Sequence, residues 1–425
     1  MNDINLVEQK QYKNEICCGI DFGTSNSVIS ITDAKTFKEI YSFSDKSILY
    51  YTKNENLVLV GKDAQEKYVE EDMSGRLLKS IKTLLPQKDF LFTWIYGKRV
   101  TPDQMVTHII RHLKEKAEES LGFQLESVTL GRPAVFSDDP QKEEMAQNRL
   151  LLAARNAGFT NIKLQLEPIA AALSYEKTIN HDVKVLIADI GGGTSDFTLA
   201  NLSPQKINSR DRADDIICNG GIYIGGDLFD SEIMWTKVTP LLGRGTQYKG
   251  YDKFLEIPNT LYRELRNWER SFLLKESKSR RSMDKYYVFS DYNEKINNVR
   301  LLIDNNGTYS LFQEIEKAKI NLSSQQESSI SFSKFGMNLH TLLPYEEYQV
   351  IIEKHLNSIT LCVEDILRKS NCKVNDIDKL VLTGGSSLSR PIVELFSNLF
   401  GSDKIFNTDA FHSVAYGLSL SNRFL

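Results

Sequence analysis

A short apolar run, an Asp, glycine and then hydroxyl-bearing residues occur in that order twice in the chain, and this duplication limits the possible folds more than any other feature. The first copy is Ile16-Cys17-Cys18-Gly19-Ile20-Asp21-Phe22-Gly23-Thr24-Ser25-Asn26, with apolar residues resuming over Ser27–Ile31. The second runs from Val183 to Asp189 and on through Ile190, Gly191, Gly192, Gly193, Thr194, Ser195 and Asp196, with Phe197–Ala200 beyond. Each reads as strand, tight turn, strand, because residues that tolerate positive φ separate two runs of β-forming residues. The two Asp residues stand 168 positions apart, about one domain length. Two similar lobes, each offering a hairpin tip to a shared cleft, are the economical prediction.

The residue types at those tips suit phosphate. Glycines let backbone N–H groups approach phosphate oxygens, and Thr and Ser hydroxyls add donors. An Asp at a strand end would repel phosphate unless a cation, most simply Mg²⁺ held through its waters, stands between them. A third glycine signal is Lys379–Thr383, then Gly384, Gly385, Ser386 and Ser387, leading into the helical pattern Ile392–Phe400. That order, strand, glycine pair, helix N-terminus, is a geometry that binds phosphates or nucleosides.

Charge balance narrows the partners. The chain has 425 residues, with 52 Lys plus Arg against 56 Asp plus Glu, a net of −4, which excludes a nucleic-acid binder working by bulk positive charge. No segment approaches the roughly 20 apolar residues of a membrane helix, and Met1–Lys13 is polar, so the expectation is a soluble, cytoplasmic protein. Five cysteines, odd in number and without Cys-x-x-Cys spacing, predict neither disulfides nor a zinc site. His108 and His112 share a helix face by their spacing but lack a third ligand, so they read as an ordinary exposed face.

Helices are expected over Thr101–Leu121, opened by Thr-Pro-Asp, over Pro140–Ala157, over Glu167–Leu173, over Thr260–Glu276, over Leu311–Leu322 and over Tyr345–Arg368. Glu167 sits at the positive end of its helix dipole. Lys275–Asp304 is charged and Ser-rich without a clear period before Val299, and reads as loops and short elements of an accessory subdomain.

Taken in order, these residues resemble the nucleotide-binding domain of the 70-kDa heat-shock chaperones, within the wider actin, sugar-kinase and heat-shock ATPase superfamily. Gly19–Ser27 is similar to the family's first phosphate loop and Asp189–Asp196 to its second. Glu167-Pro168 with its alanines resembles the first connecting helix, and Val414–Gly417 the second. Ile224-Gly225-Gly226-Asp227 is similar to the Gly-Gly segment that touches the nucleotide. Glu314–Ser324 resembles the adenosine-contacting helix, where Glu316, Lys319 and Ser323 would hold ribose and base. Ser80–Leu85 looks like the segment carrying the catalytic lysine, here Lys82, whose role rests wholly on this resemblance. Gly131–Phe136 is similar to a segment whose proline takes part in signalling between lobes.

The resemblance implies an α/β chain with the actin-like ATPase fold, each of two lobes having a ribonuclease-H-like βαβ core. The expected divisions are an N-terminal extension at 1–15, lobe I at 16–180 with an accessory part at about 36–100, lobe II at 181–405 with an enlarged accessory part at about 228–345, and a C-terminal helix at 406–425 packing back between the lobes. ATP or ADP with Mg²⁺, and K⁺ as a further cation, are the implied cofactors. Asp21, Glu167, Asp189 and Asp196 would order the water shell of Mg²⁺; Lys82, Asp189, Thr194 and Glu167 would form the catalytic set; Gly23, Thr24, Ser25, Asn26, Gly191, Gly192, Gly193 and Thr194 would meet the phosphates. Gly384, Gly385 and Ser386 would join Gly225, Gly226 and Asp227 around the nucleoside.

Four departures qualify the match. The family's adenine-stacking arginine is Leu388 here, leaving Arg390 as the candidate to cover the base. The arginine expected after the switch proline falls near Gln141 or Lys142. Ninety positions separate Gly226 from Glu316, roughly twice the family's spacing, which implies an insertion in lobe II. The peptide-binding half is expected to be missing. The sequence therefore predicts a monomeric, slow, Mg-dependent ATPase of chaperone type, acting with co-chaperones or client proteins. A nucleotide-sensing scaffold with negligible turnover is the alternative, and a small-molecule kinase of the same fold is a third.

Overall fold

The computed structural model describes residues 16–421, apart from 56, 138, 177–178, 207–212 and 408–412. The expected extension at 1–15 and the final residues 422–425 lie outside the described residues, as does part of the expected C-terminal segment.

Two five-stranded sheets carry the molecule, and they repeat one topology. In the first, β1 (Ile16–Phe22), β2 (Asn26–Asp33), β3 (Glu39–Lys46), β4 (Ser127–Arg132) and β5 (Asn161–Leu166) lie in the order β5-β4-β1-β2-β3. In the second, β6 (Val183–Ile190), β7 (Ser195–Leu202), β8 (Ile216–Ile222), β9 (Lys379–Thr383) and β10 (Ile405–Asn407) lie in the order β8-β7-β6-β9-β10. Each sheet is a three-stranded antiparallel meander joined to two parallel strands beside its first strand. The duplicated hairpins are β1–β2 and β6–β7. Their apolar runs are buried on both faces, which is why they read as near-continuous hydrophobic stretches.

Helices cover the sheets. α1 (Pro102–Leu121) is opened by Gln104, whose side-chain oxygen accepts from the Thr101 N–H at 3.0 Å, and α2 (Pro140–Asn156) by the Asp139 carboxylate. Met105, Ile109 and Leu113 of α1 pack on Ile20, Ile29 and Ile31 of the first sheet. α3 (Glu167–Glu176) follows β5 without a gap. In the second half, α4 (Gly226–Ile233), α5 (Thr308–Asn321), α6 (Tyr345–Lys369) and α7 (Arg390–Phe400) enclose a core that includes Phe197, Phe229, Ile359 and Phe396. α8 (Ser413–Ser421) crosses back: Val414 and Leu418 join Ala170–Ala172 of α3 against Val185 and Ile187 of the second sheet.

Two expectations need correction. Lys275–Asp304 contains two packed helices, Ser277–Phe289 and Asn293–Asp304. The first buries only Met283 fully, so it carries no legible apolar period; its order comes from its neighbour, which buries Ile296, Val299, Leu302 and Ile303. Thr260–Glu276 is not one helix but short turns, broken at Asn267, whose backbone is extended. Among the described residues no helix is long and apolar enough to cross a membrane.

The crossing of α3 and α8 leaves no room for side chains at its centre. A Cβ on Gly417 would lie 1.8 Å from the Ala170 carbonyl oxygen, and one on Gly19 of β1 would lie 2.3 Å from the Ser419 nitrogen. Gly417→Ala is therefore expected to lower unfolding free energy by about 1–3 kcal/mol, as overpacking does. Chemical denaturation of the two proteins checks this; an unchanged midpoint would contradict so close a crossing.

Candidate active site

Both hairpins end at one cavity of about 430 Å³ between the lobes. β1 delivers Asp21 one residue before its end, and the turn that follows supplies Gly23, Thr24 and Ser25, with Asn26 opening β2. β6 delivers Asp189 in the same way, followed by Gly191, Gly192 and Thr194. Antiparallel register sets Asp196 of β7 directly across from Asp189. The Gly191 N–H donates to the Thr194 carbonyl at 2.9 Å, closing the turn, and the Thr194 hydroxyl donates to Asp196 Oδ2 at 2.9 Å. β5 passes straight into α3, so Glu167 stands at that helix's first turn and faces the same space.

Lys82 enters from a 3₁₀ turn, Ile81–Leu84, anchored by buried Ile81 and preceded by Ser80 in the left-handed region at φ 57°. Its Nζ donates to Glu167 Oε1 at 2.8 Å. Burial opposes the charge on Lys82, but attraction by Glu167 and then Asp21 outweighs it and holds the ammonium protonated well above its usual range. Four carboxylates thus share one cavity with a single lysine bonded to one of them. Burial, and after it repulsion from Glu167, pushes Asp21 up to about 7. Burial likewise pushes Asp196 up to about 6, against the opposing hydrogen bond from Thr194. Asp189 is raised well above the carboxylate range, by burial first and then by Glu167 and Asp21.

This donor set fits a divalent cation. Among the described residues no group of three His, Cys, Asp or Glu side chains is arranged to grip a metal directly, so such an ion fits through its water shell, between the carboxylates and an anionic ligand. The buried Ser25 Oγ lines the cavity with no hydrogen-bond partner, the state expected of a donor reserved for that ligand.

The end of the cavity where the nucleoside is expected is built by lobe II. The Gly226 and Asp227 N–H groups donate to the Gly191 and Gly192 carbonyls at 3.1 and 2.8 Å, tying α4 to the second turn. Glu316, Lys319 and Ser323 project from α5 and the turn after it, opposite Gly384, Gly385 and Ser386. Gly384 needs to be glycine: its φ is +82°, and a Cβ there would lie 2.3 Å from Asp189 Oδ1. Lys319 donates to the Gly226 carbonyl at 3.0 Å and to Asp230 at 2.8 Å, which relieves part of the burial that lifts Asp230 to about 6.

Three expected residues are not in the cavity wall. Gly193 lines an adjoining cavity of about 300 Å³, and Gly225 caps α4 behind the wall. Arg390 is turned away: its Nε donates to Glu394 at 2.7 Å, one nitrogen donates to Gln326 at 3.2 Å, and its guanidinium lies 3.8 Å from the Tyr345 ring centroid. Paired and stacked in this way, it does not line the cavity, and half-exposed Leu388 does.

Sequence reasoning missed Lys79, which bonds Asp227 of the opposite lobe at 2.6 Å. Nothing in composition distinguishes it from other lysines. Above it Gln65 donates to the Tyr309 hydroxyl and Tyr68 meets the Tyr309 ring edge-on, so the accessory parts touch across the cleft mouth. Beside Gly131–Phe136, Arg132 pairs with Glu143 at 2.6 Å, while the Gln141 side chain accepts from Lys88.

Two lobes of repeated topology, with paired hairpin tips and a carboxylate cage around a lysine, define the actin-like class of nucleotide-cleft ATPase folds. Residues 57–239 and 285–425 match the family model described as Hsp70 protein, and the chain belongs to that family. It is 25% identical over 399 residues to a chaperone protein DnaK of Mycoplasmopsis synoviae, covering 92% of this chain and 55% of that relative. It is 26% identical over 421 residues to a DnaK of Thermosipho africanus, covering 96% and 59%, and 24% identical over 454 residues to one of Burkholderia cenocepacia, covering 96% and 58%. The chain spans less than three fifths of the length of these relatives. The stretch between the matched segments, 240–284, falls where additional lobe II residues are expected.

A pH prediction follows from the cage. Asp21 is held above its unfolded value of 3.8, so the folded protein binds its proton more tightly than the unfolded chain does. The stability this contributes is present below about pH 4 and is lost as pH rises through about 7. Asp21→Asn should match wild type near pH 4 and be more stable than wild type above pH 7, in magnesium-free buffer. A stability difference that does not vary with pH would contradict the cage electrostatics.

Proposed function

We propose that this cleft binds and slowly hydrolyses ATP, as the ATPase part of an Hsp70-type chaperone. The observation that carries this reading is the convergence of both hairpin tips, Lys82 and Glu167 on one cavity whose carboxylates outnumber their lysine. Thr24, Ser25 and the turn glycines would donate to phosphate oxygens, and Ser25 has a hydroxyl free for that task. Mg²⁺ bound among Asp21, Glu167, Asp189 and Asp196 would neutralise phosphoryl charge. Lys82, oriented by Glu167, would place the attacking water and stabilise charge on the γ-phosphoryl oxygens, while Asp189 or Thr194 accepts from that water. Glu316, Lys319 and Ser323 would hold the ribose and base edge.

Turnover on this reading is slow. Among the described residues of the cavity wall there is no arginine to stabilise the transition state, and Lys82 is the one catalytic cation. Client proteins and co-chaperones would be met in the cytoplasm by a monomer, with nucleotide state read out through lobe closure at the Lys79–Asp227 and Gln65–Tyr309 contacts. A nucleotide-sensing scaffold is the second reading. It is favoured by Arg390, which is engaged away from the site.

Single-turnover hydrolysis of ATP with Mg²⁺ tests the choice. Wild type should turn over, and Lys82→Ala should be slower by about 10²–10³-fold, as for loss of one preorganised charge donor. Binding without turnover in wild type would leave the scaffold reading standing.

A further inference from the structure

A second cavity, of about 400 Å³, lies in the outer part of lobe I and has a lining chemistry that the cleft does not use. It is bounded by the short strands Leu49–Tyr51 and Val58–Val60, the hairpin Thr93–Ile95 with Lys98–Val100, and the middle of α1. Lys98, Arg99, His108 and Arg111 line it, and among the described residues no Asp or Glu does. Among the described residues none of the three permanent cations has a carboxylate within ion-pair distance. Arg111 instead donates to the Asn156 carbonyl at 2.6 Å, and the Arg99 guanidinium lies 4.3 Å from the Phe92 ring centroid. Lys98 and Arg99 are exposed at the rim, whereas His108 and Arg111 are half-buried.

The two histidines expected to share an exposed helix face are thus both engaged. His112 bonds Asp45 at 3.0 Å, and the His108 ring meets the Tyr51 ring edge-on with centroids 6.1 Å apart. Tyr51 is 7% exposed, and its buried hydroxyl has no hydrogen-bond partner. A buried hydroxyl left unpaired is uncommon and calls for a partner the chain itself does not supply. Four like-charged or chargeable groups around one acid-free space repel one another, and an entering anion removes that repulsion. Leu57, Val58, Ile95 and Val100 give the same space apolar walls, so a bare inorganic ion would leave most of it unfilled.

We propose that this cavity is a second ligand site, specific for a small organic anion: a carboxylate or phosphate carried on a flat apolar body. The volume lies in the range of small-molecule sites, roughly 300–1,000 Å³, and the lining has their usual character, apolar walls with a few convergent polar groups. The anionic group meets Arg111, His108 and the rim cations Lys98 and Arg99, while the body lies along the apolar walls over Tyr51. The site stands on its own residues and is independent of what the nucleotide cleft does.

NMR of the full chain with ¹³C-labelled histidine tests it, because the chain has six histidines and His108 is the one among the described residues that lines this cavity. Titration with phenyl phosphate or with benzoate should move the His108 signal saturably while His181, His340 and His355 stay in place; which of the two binds more tightly identifies the anionic group. Inorganic phosphate and benzyl alcohol, which each lack one half of the ligand, should bind about tenfold more weakly or worse. Lys98→Gln and Arg99→Gln, both at the exposed rim, should each weaken binding by about tenfold without unfolding the protein. No saturable shift at His108 with either probe, equal binding by inorganic phosphate or benzyl alcohol, or indifference to both substitutions would overturn the proposal.

Discussion

The architecture turns on an electrostatic constraint: four carboxylates, Asp21, Glu167, Asp189 and Asp196, are gathered at one cavity with Lys82 as their counter-charge. This placement does not serve stability, since burial and repulsion from neighbouring acids lift Asp21, Asp189 and Asp196 above their ordinary range. The arrangement fits a cation and an anion that would complete it. Each carboxylate is held by a different element, at the end of β1, the end of β6, the start of β7 and the start of α3, so the cage exists only when both lobes are folded and apposed.

Apposition depends on the crossing of α3 and α8. Small residues let these helices approach closely, Gly417 against Ala170, while Gly19 of β1 lies against Ser419; the alanines of α3 with Val414 and Leu418 of α8 reach the second sheet. The outer contacts, Lys79 with Asp227 and Tyr309 with Gln65 and Tyr68, sit at the opposite edge of the cleft. A dense pivot at one edge and polar or aromatic contacts at the other give a cleft that can open by hinge motion without disrupting either core.

Sequence alone disclosed the duplicated hairpins because their chemistry is concentrated: apolar strand, Asp, glycine and hydroxyl within a dozen residues, twice. It disclosed the long helices α1, α5 and α6 because their apolar period and their ends are local signals. It could not disclose the helix Ser277–Phe289, whose order depends on packing against Asn293–Asp304, or the break at Asn267. Lys82 was legible only through the family resemblance, since a lysine on a 3₁₀ turn carries no periodic mark. Lys79 was not legible at all, because its partner Asp227 lies 148 residues away. The contacts of Arg390 were not legible, because spacing measures distance along the chain and says nothing of the acceptors Glu394 and Gln326 or of the Tyr345 ring.

Calorimetric titration of the wild-type chain with ATP, with Mg²⁺ and again in excess chelator, asks whether a cation and a phosphate-bearing nucleotide together complete the cage. Binding with Mg²⁺ should weaken by at least about tenfold when the divalent cation is removed, because the carboxylates then face the phosphates unshielded. Equal affinity in the two conditions would contradict it.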